Sequence, residues 1–349
     1  MSVPDKQKAL FLLKKQGDWA VQPTEVYTPG PGELLVRLEA IALNPVDWKI
    51  REYGVYVEHY PAILGSDAAG VVAKVGEGVT SFAVGDKVLF QGFFVDNRRA
   101  TFQQYSVVPA EITAKVPSNL TFDQAASIPL GLATSFIALY GSGWERGGAQ
   151  LPAPWSPEGQ GKFAGHPIVI FGGSSSVGSY VIQAARLSGF SPIITTVSPH
   201  NNDLVKSLGA THTIDRHLSP SEIVAEVKKI TSEPVKYIYD AVSLPDTQKA
   251  AVDILAPGGT LLLVLAKAVD VPAGTKVIST FGTVQAPQNR EFGVELYKNL
   301  TKLFESGLIK PNVVEVLPNG LAGIPEGLER MKNNKVSAVK LVARPPETP

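Results

Sequence analysis

The stretch "IVIFGGSSSVGSYVIQAARLSG" (168–189) decides the fold of this chain. It opens with a continuous apolar run at 168–171, as a strand buried on both faces requires. It closes on a helical segment, 177–189, in which Val177, Val181, Ala184, Ala185 and Leu187 recur along one face and Gly189 marks the stop. Between them lie Gly172, Gly173, Ser174, Ser175, Ser176, Val177 and Gly178. A turn of small residues leading from a buried strand into a helix is where a dinucleotide fold places its phosphate loop. Small side chains let backbone N–H groups approach a pyrophosphate, and the helix N-terminus adds partial positive charge. Gly178 lets helix and strand pack closely. The strict G-x-G-x-x-G spacing is not met, because three serines and a valine separate Gly173 from Gly178.

The segments that follow keep the same rhythm. "PIITTV" (192–197), "KYIYDAV" (236–242) and "GGTLLLVL" (258–265) read as buried strands. "SPSEIVAEVKKI" (219–230) opens a helix with a capping box, Ser219 to Glu222, and proline at the first helical position. Strands alternating with helices predict an α/β fold with a doubly wound parallel sheet. The chain ahead of it is β-rich. "ELLVRLEAIAL" (33–43) alternates, with Val36, Leu38, Ala40 and Ala42 on one face, and 68–76 and 86–94 are short apolar runs punctuated by glycine. The Gly- and Pro-dense segment 141–167 reads as a long irregular surface loop. A longer helix from 289 and strands at 313–316 and 339–342 close the chain. Two domains are expected: a β-rich one over 1–130, completed by 285–349, and a dinucleotide-binding one over 131–284. The active site is expected in the cleft between them.

Composition excludes several function classes. Lys+Arg 32 and Asp+Glu 32 cancel, which removes the electrostatic case for nucleic acid or an anionic membrane as partner. The chain has no cysteine, hence no disulfide, thiol nucleophile or cysteine-ligated metal. The N-terminus carries no long apolar run, so an intracellular, cytoplasmic protein is expected. The nucleophile elbow G-x-S-x-G fails around Ser174 because position 176 is Ser, and the five histidines show no ligand spacing.

The end of the second parallel strand addresses the cofactor. An NAD-specific site places Asp or Glu there against the ribose 2′-hydroxyl. Here the chain reads "TTVSPHNND" (195–203), with no acid from Ile193 to Asn202. Ser198, His200 and Asn201 offer hydrogen bonds where an acid would repel a 2′-phosphate, so NADPH is expected over NADH.

The order "NPVDWKIR" (44–51), "GSDAAG" (65–70) and "DQAASIPLGLAT" (123–134), ahead of a dinucleotide fold, resembles the medium-chain dehydrogenase/reductase superfamily over essentially the whole chain. The resemblance implies a GroES-like β-rich domain beside the Rossmann domain. Where the superfamily's zinc alcohol dehydrogenases carry a histidine ligand after the glycine matching Gly65, this chain has Ser66. The zinc-free quinone and enoyl reductases fit better, and fungal stand-alone enoyl reductases that assist polyketide synthases are similar in the "NPVDWKI" wording and the long 141–167 loop. In that branch the asparagine matching Asn44 lies beside the nicotinamide, the threonine matching Thr134 helps hold the cofactor, and loops near Leu265, Phe281 and Thr283 complete the nicotinamide pocket. Tyr56 matches the proton-donating tyrosine of mitochondrial-type enoyl reductases, and Asp47 is expected to brace its own turn. The implied activity is metal-free, NADPH-dependent reduction of activated carbon–carbon double bonds in enones, enals or enoyl thioesters. NADPH:quinone reduction and a non-catalytic accessory role are the alternatives. The implied partners are a small-molecule substrate and a polyketide synthase carrier domain, with the protein a monomer or homodimer.

Overall fold

The computed structural model describes residues 3–143 and 147–349. The chain divides into two compact units: one runs to Leu130 and includes Gly293–Gly307 and Pro311–Pro349, the other takes Gly131–Phe292 and Leu308–Lys310. Among the described residues no helix is long and apolar enough to cross a membrane.

The second unit is built on a six-stranded, all-parallel sheet. In spatial order its strands are His212–Asp215, Ile193–Val197, Ile168–Phe171, Tyr237–Asp240, Thr260–Leu263 and Lys276–Ser279. Numbered along the chain, that is the order 3-2-1-4-5-6 of the doubly wound dinucleotide fold, with its switch point between the first and fourth strands. The first strand, Ile168–Phe171, is buried at every position, as its unbroken apolar run predicts. The outermost strands, His212–Asp215 and Lys276–Ser279, are only partly buried. Their sequences carry polar residues where the inner strands carry Ile, Val and Leu.

The helix Ser176–Ser188 departs from the expected one-sided packing. All positions from Gly178 to Ala185 are buried, while Val177 and Leu187 are only half-buried. The polar Gln183 is buried because its amide is satisfied at both ends: Nε2 donates to Lys310 O (3.2 Å) and Oε1 accepts from Lys310 N (2.7 Å). The Tyr140 hydroxyl likewise donates to Ala184 O (3.2 Å). Helix and segment 308–310 therefore cover a face that periodicity alone assigns to solvent.

The Gly- and Pro-dense segment is irregular, as expected, but it is pinned. Its residues 144–146 lie outside the described residues. Trp155 stacks on Phe136 (5.9 Å, 5°) and on Phe292 (6.1 Å, 28°), and Phe163 stacks on Phe190 (4.4 Å, 1°).

The first unit holds a seven-stranded sheet and a three-stranded one, Trp19–Glu25, Lys6–Leu12 and Ala62–Ile63. The long strand Glu33–Ala42 is central in the larger sheet, between Asp67–Val75 and Lys340–Ala343. Its alternation is weaker than the sequence suggests: Leu35 and Ile41 are buried along with Val36, Leu38, Ala40 and Ala42. The register shift at Leu38/Ala40 leaves Glu39 unpaired in the ladder with Asp67–Val75 and turns Ile41 into the core that holds Leu34, Val36 and Leu38, while Leu35 is buried on the other face. Only Arg37 and Glu39 reach solvent, and they pair with each other (2.8 Å).

Trp155→Ala is expected to lower the unfolding free energy by about 2 kcal/mol through lost aromatic burial, a fall in Tm of roughly 4–8 °C in calorimetry. A fall below about 2 °C would show that the stack does not hold the loop.

Candidate functional site

Two constellations are candidates to carry chemistry, one in each unit. The first is the turn after Ile168–Phe171. Gly172 takes a left-handed backbone (φ 77°), which turns the chain back toward the helix, and its N–H donates to Thr196 Oγ1 (3.0 Å). Ser175 is the helix N-cap, its Oγ accepting from Gly178 N (3.0 Å). A Cβ at Gly178 would lie 2.2 Å from Gly172 O, and one at Gly173 would lie 2.1 Å from Thr195 Oγ1. The cradle therefore exists only with these glycines, and the half-buried Ser174, Ser175 and Ser176 rim a helix N-terminus of 13 residues. Such a cradle fits a dinucleotide pyrophosphate.

Beside it, at the ends of the neighbouring strands, a polar cluster forms. Asn201 Nδ2 donates to Ser174 Oγ (3.4 Å), tying the second strand's end to the turn. Ser198 is buried, and its Oγ accepts from Arg216 Nε (2.5 Å). Arg216 follows the third strand directly, and its exposed side chain is anchored by Arg216 N donating to Val197 O (3.1 Å). His200 is exposed. Arg216, which joins Ser198 at this strand end, is a residue that the sequence reading did not single out. Its signal was available, since a third parallel strand ends at 215, but that strand's "HTID" is too short and too polar to stand out.

Thr134, Phe281 and Thr283 are brought together. Gly282 approaches Thr134 so closely that a Cβ there would lie 2.0 Å from Thr134 Oγ1. Phe281 is half-buried and Thr283 buried, and the loop is held from beneath by Asn289, whose Nδ2 donates to Phe281 O (2.8 Å) and Thr283 O (3.1 Å). Gly131, one turn ahead of Thr134, packs on the serine turn in the same way: a Cβ would lie 2.4 Å from Ser176 Oγ. Leu265 is exposed, just beyond the strand Thr260–Leu263.

The second constellation is in the β-rich unit. Asn44 caps the helix Pro45–Tyr53 and is buried. Asp47 braces this turn, Oδ2 accepting from Asn44 N (2.8 Å). The carboxamide of Asn44 is held on both sides: Oδ1 accepts from Lys340 Nζ (2.5 Å) and Nδ2 donates to Asp67 Oδ2 (2.9 Å). Asp67 and Lys340 form a buried ion pair (2.9 Å), and Asp67 Oδ1 accepts from Leu130 N (2.6 Å). Burial, helped by the charge of Asp67, raises the Asp47 carboxyl to about 7 against the pull of the Asn44 N–H and Lys340.

Tyr56 lies on the segment after this helix. It is 55% exposed and has a left-handed backbone (φ 68°), a strained conformation for a residue with a Cβ, and its ring leans on Phe94 (6.2 Å). The neighbouring Tyr60 is committed, its hydroxyl donating to Val57 O (3.2 Å). Ser66 is buried, and among the described residues no three His, Asp or Glu side chains gather as metal ligands do.

Asp47 gives a pH-dependent stability with a definite sign. Its folded-state pKa, about 7, lies above the roughly 3.9 of an unfolded aspartate, so the folded chain keeps a proton that the unfolded chain has lost. This stabilisation is complete below about pH 4 and is lost as pH rises through about 7. Asp47→Asn, which keeps the acceptor for Asn44 N, is expected to flatten that decline in denaturant titrations. A slope unchanged by the substitution would place the proton elsewhere.

Comparison with known proteins agrees with both halves. Residues 30–118 match the alcohol dehydrogenase GroES-like domain and residues 176–285 the zinc-binding dehydrogenase domain. A trans-enoyl reductase of a Penicillium species is 31% identical over 97% of this chain and 98% of its own. The enoyl reductase component of lovastatin nonaketide synthase from Aspergillus terreus is 29% identical over 89% of each. Among solved structures, an alcohol dehydrogenase superfamily protein from Novosphingobium aromaticivorans superposes with a TM-score of 0.80 at 26% identity, covering 96% of this chain and 98% of that one.

Proposed function

The chain belongs to the medium-chain dehydrogenase/reductase superfamily, an NAD(P)-dependent family of oxidoreductases, and from that premise we propose that it reduces activated carbon–carbon double bonds with NADPH and without a metal. The substrate class is an enone, enal or enoyl thioester. The observation that carries this reading is the pairing of a glycine cradle at the switch point with the Ser198–Arg216 contact beside it, in a chain whose relatives include named enoyl reductases.

NADPH, when bound, supplies the hydride. Gly172, Gly173, Ser174, Ser175, Ser176, Val177 and Gly178 form the pyrophosphate cradle. Ser198 and the Arg216 guanidinium, with His200 and Asn201, hold the 2′-phosphate through charge-assisted hydrogen bonds. Thr134 and the 281–283 loop, with Leu265, flank the nicotinamide end, and Asn44 lies at the reacting centre. Tyr56 would give its phenolic proton to the α-carbon of the enolate left once the β-carbon has taken the hydride, and the tyrosinate would regain a proton from water. Its ring leans on Phe94 and the residue remains more than half exposed, which supports this role. Ser66 and the lack of cysteine remove the ligands that a zinc alcohol dehydrogenase uses, which suits an acceptor that its own conjugated carbonyl already activates.

The test is NADPH consumption with enones, enoyl thioesters (free and carrier-bound) and quinones in parallel. Turnover of the first two classes supports the proposal. Turnover of quinones alone would replace it with quinone reduction, and NADPH binding without any turnover would make the protein an accessory. Arg216→Ala with Ser198→Ala is expected to cost at least ten-fold in NADPH affinity and little in NADH affinity, read by cofactor fluorescence. Equal losses for both cofactors would sink the 2′-phosphate assignment. Tyr56→Phe is expected to reduce kcat at least ten-fold with the NADPH Kd unchanged, and an unchanged kcat rules it out as proton donor.

A further inference from the structure

Asn44 lies two residues beyond the central strand Glu33–Ala42, and both neighbouring strands aim a charge at it. On one side Ala42 pairs with Asp67. On the other, Ala42 pairs with Val342 in an antiparallel ladder, and Leu43 N donates to Leu341 O (3.0 Å), so the register brings Lys340 opposite Asn44. Lys340 donates to Asn44 Oδ1, Asp67 accepts from Asn44 Nδ2, and the two charges pair with each other. An ammonium has no acceptor and a carboxylate no donor, so only one of the two amide orientations satisfies both. Flipping the carboxamide would set Nδ2 against Lys340 and Oδ1 against Asp67.

We propose that Lys340 and Asp67 are positioning residues that lock the carboxamide of Asn44 in a single orientation for reaction. This rests on the reading of Asn44 as a reaction-centre residue. The pair is buried, with Asp67 0% and Lys340 4% exposed. A buried ion pair adds little net stability relative to apolar side chains of the same volume, and its best-attested service is structural specificity. Here that service has an address: beyond their own pairing, the two groups bond to Asn44 and to Leu130 N. Asp47 holds the backbone of the same residue, so Asn44 is fixed at its N–H, its Oδ1 and its Nδ2. Asp47 and Tyr297 are the other titratable groups that the Asp67 charge reaches, and burial raises both pKa values.

The test uses Lys340→Met combined with Asp67→Asn, which removes the pair without leaving a lone charge. The first readout needs no substrate. In 15N-labelled protein the Asn44 side-chain amide pair is assigned by its loss in Asn44→Ser. In the double variant this pair is expected to lose its exchange protection and move toward the shifts of solvent-exposed asparagines, and an unmoved, protected pair overturns the proposal. The second readout is kinetic. The double variant is expected to lose at least ten-fold in kcat with the NADPH Kd within two-fold, and adding Asn44→Ser is expected to cost no more. Full multiplication of the two losses, or a kcat within two-fold of the parent, also overturns it. If Asn44→Ser alone leaves kcat intact while the amide resonance still moves, the lock is real but the reading of Asn44 falls, and with it the catalytic consequence. Should that double variant fail to fold, Lys340→Gln with Asp67→Asn, which is likewise neutral, is read in the same way.

Discussion

The dinucleotide-binding unit depends on one close approach, that of Gly178 to the backbone of Gly172. A side chain at 178 would overlap the Gly172 carbonyl, so the helix Ser176–Ser188 can begin where it does only because residue 178 has none. That position sets the rest. The helix N-terminus lies over the end of the first strand, the 3-2-1-4-5-6 order leaves that end at the switch point, and the second and third strands deliver Ser198 and Arg216 alongside. Gly173 repeats the constraint against Thr195 of the second strand. The loop is therefore defined by what its glycines exclude, more than by the identity of its serines.

The β-rich unit meets a different constraint. Its site is made from side chains whose charges are taken out of water, and each must be answered locally. Asp67 is answered by Lys340, Leu130 N and Asn44, and Lys340 by Asp67 and Asn44. Asp47, the least well answered, responds by holding its proton to about pH 7. The same residue was expected to brace its turn, and its bond to Asn44 N does so.

Much of this was legible before any coordinates. The first strand, the turn and its following helix, the capping box at Ser219, and the four apolar strands at the centre of the parallel sheet all announce themselves through unbroken apolar runs or capping chemistry. The edge strands His212–Asp215 and Lys276–Ser279 did not, because an edge strand is half solvated and its sequence loses the apolar signal. Lys340 was invisible for a related reason. In "VKLV" a lysine reads as the solvent-facing position of an alternating strand, and only its register against Ala42 reveals that it turns inward. Arg216 was missed together with the strand that carries it. The long loop was recognised as irregular, but its pinning by Trp155 and Phe163 depends on aromatic partners far away in sequence. The burial of Gln183 depends in the same way on residue 310.

The proposed reaction asks different things of the two constellations, and their physics matches. Holding a dinucleotide requires many weak, sequence-tolerant backbone contacts, and a glycine cradle at a helix N-terminus provides them without any charged side chain in the turn itself. Delivering a proton to one carbon requires a single group with a fixed direction. In the proposed reaction that part falls to Tyr56, whose left-handed backbone, on a residue with a Cβ, costs on the order of 1 kcal/mol or more. Its ring is held by Phe94, yet more than half of the residue remains accessible. In that scheme this accessible tyrosine, strained in its backbone, is the group assigned to deliver the proton, and the glycine cradle is assigned only the holding of the cofactor.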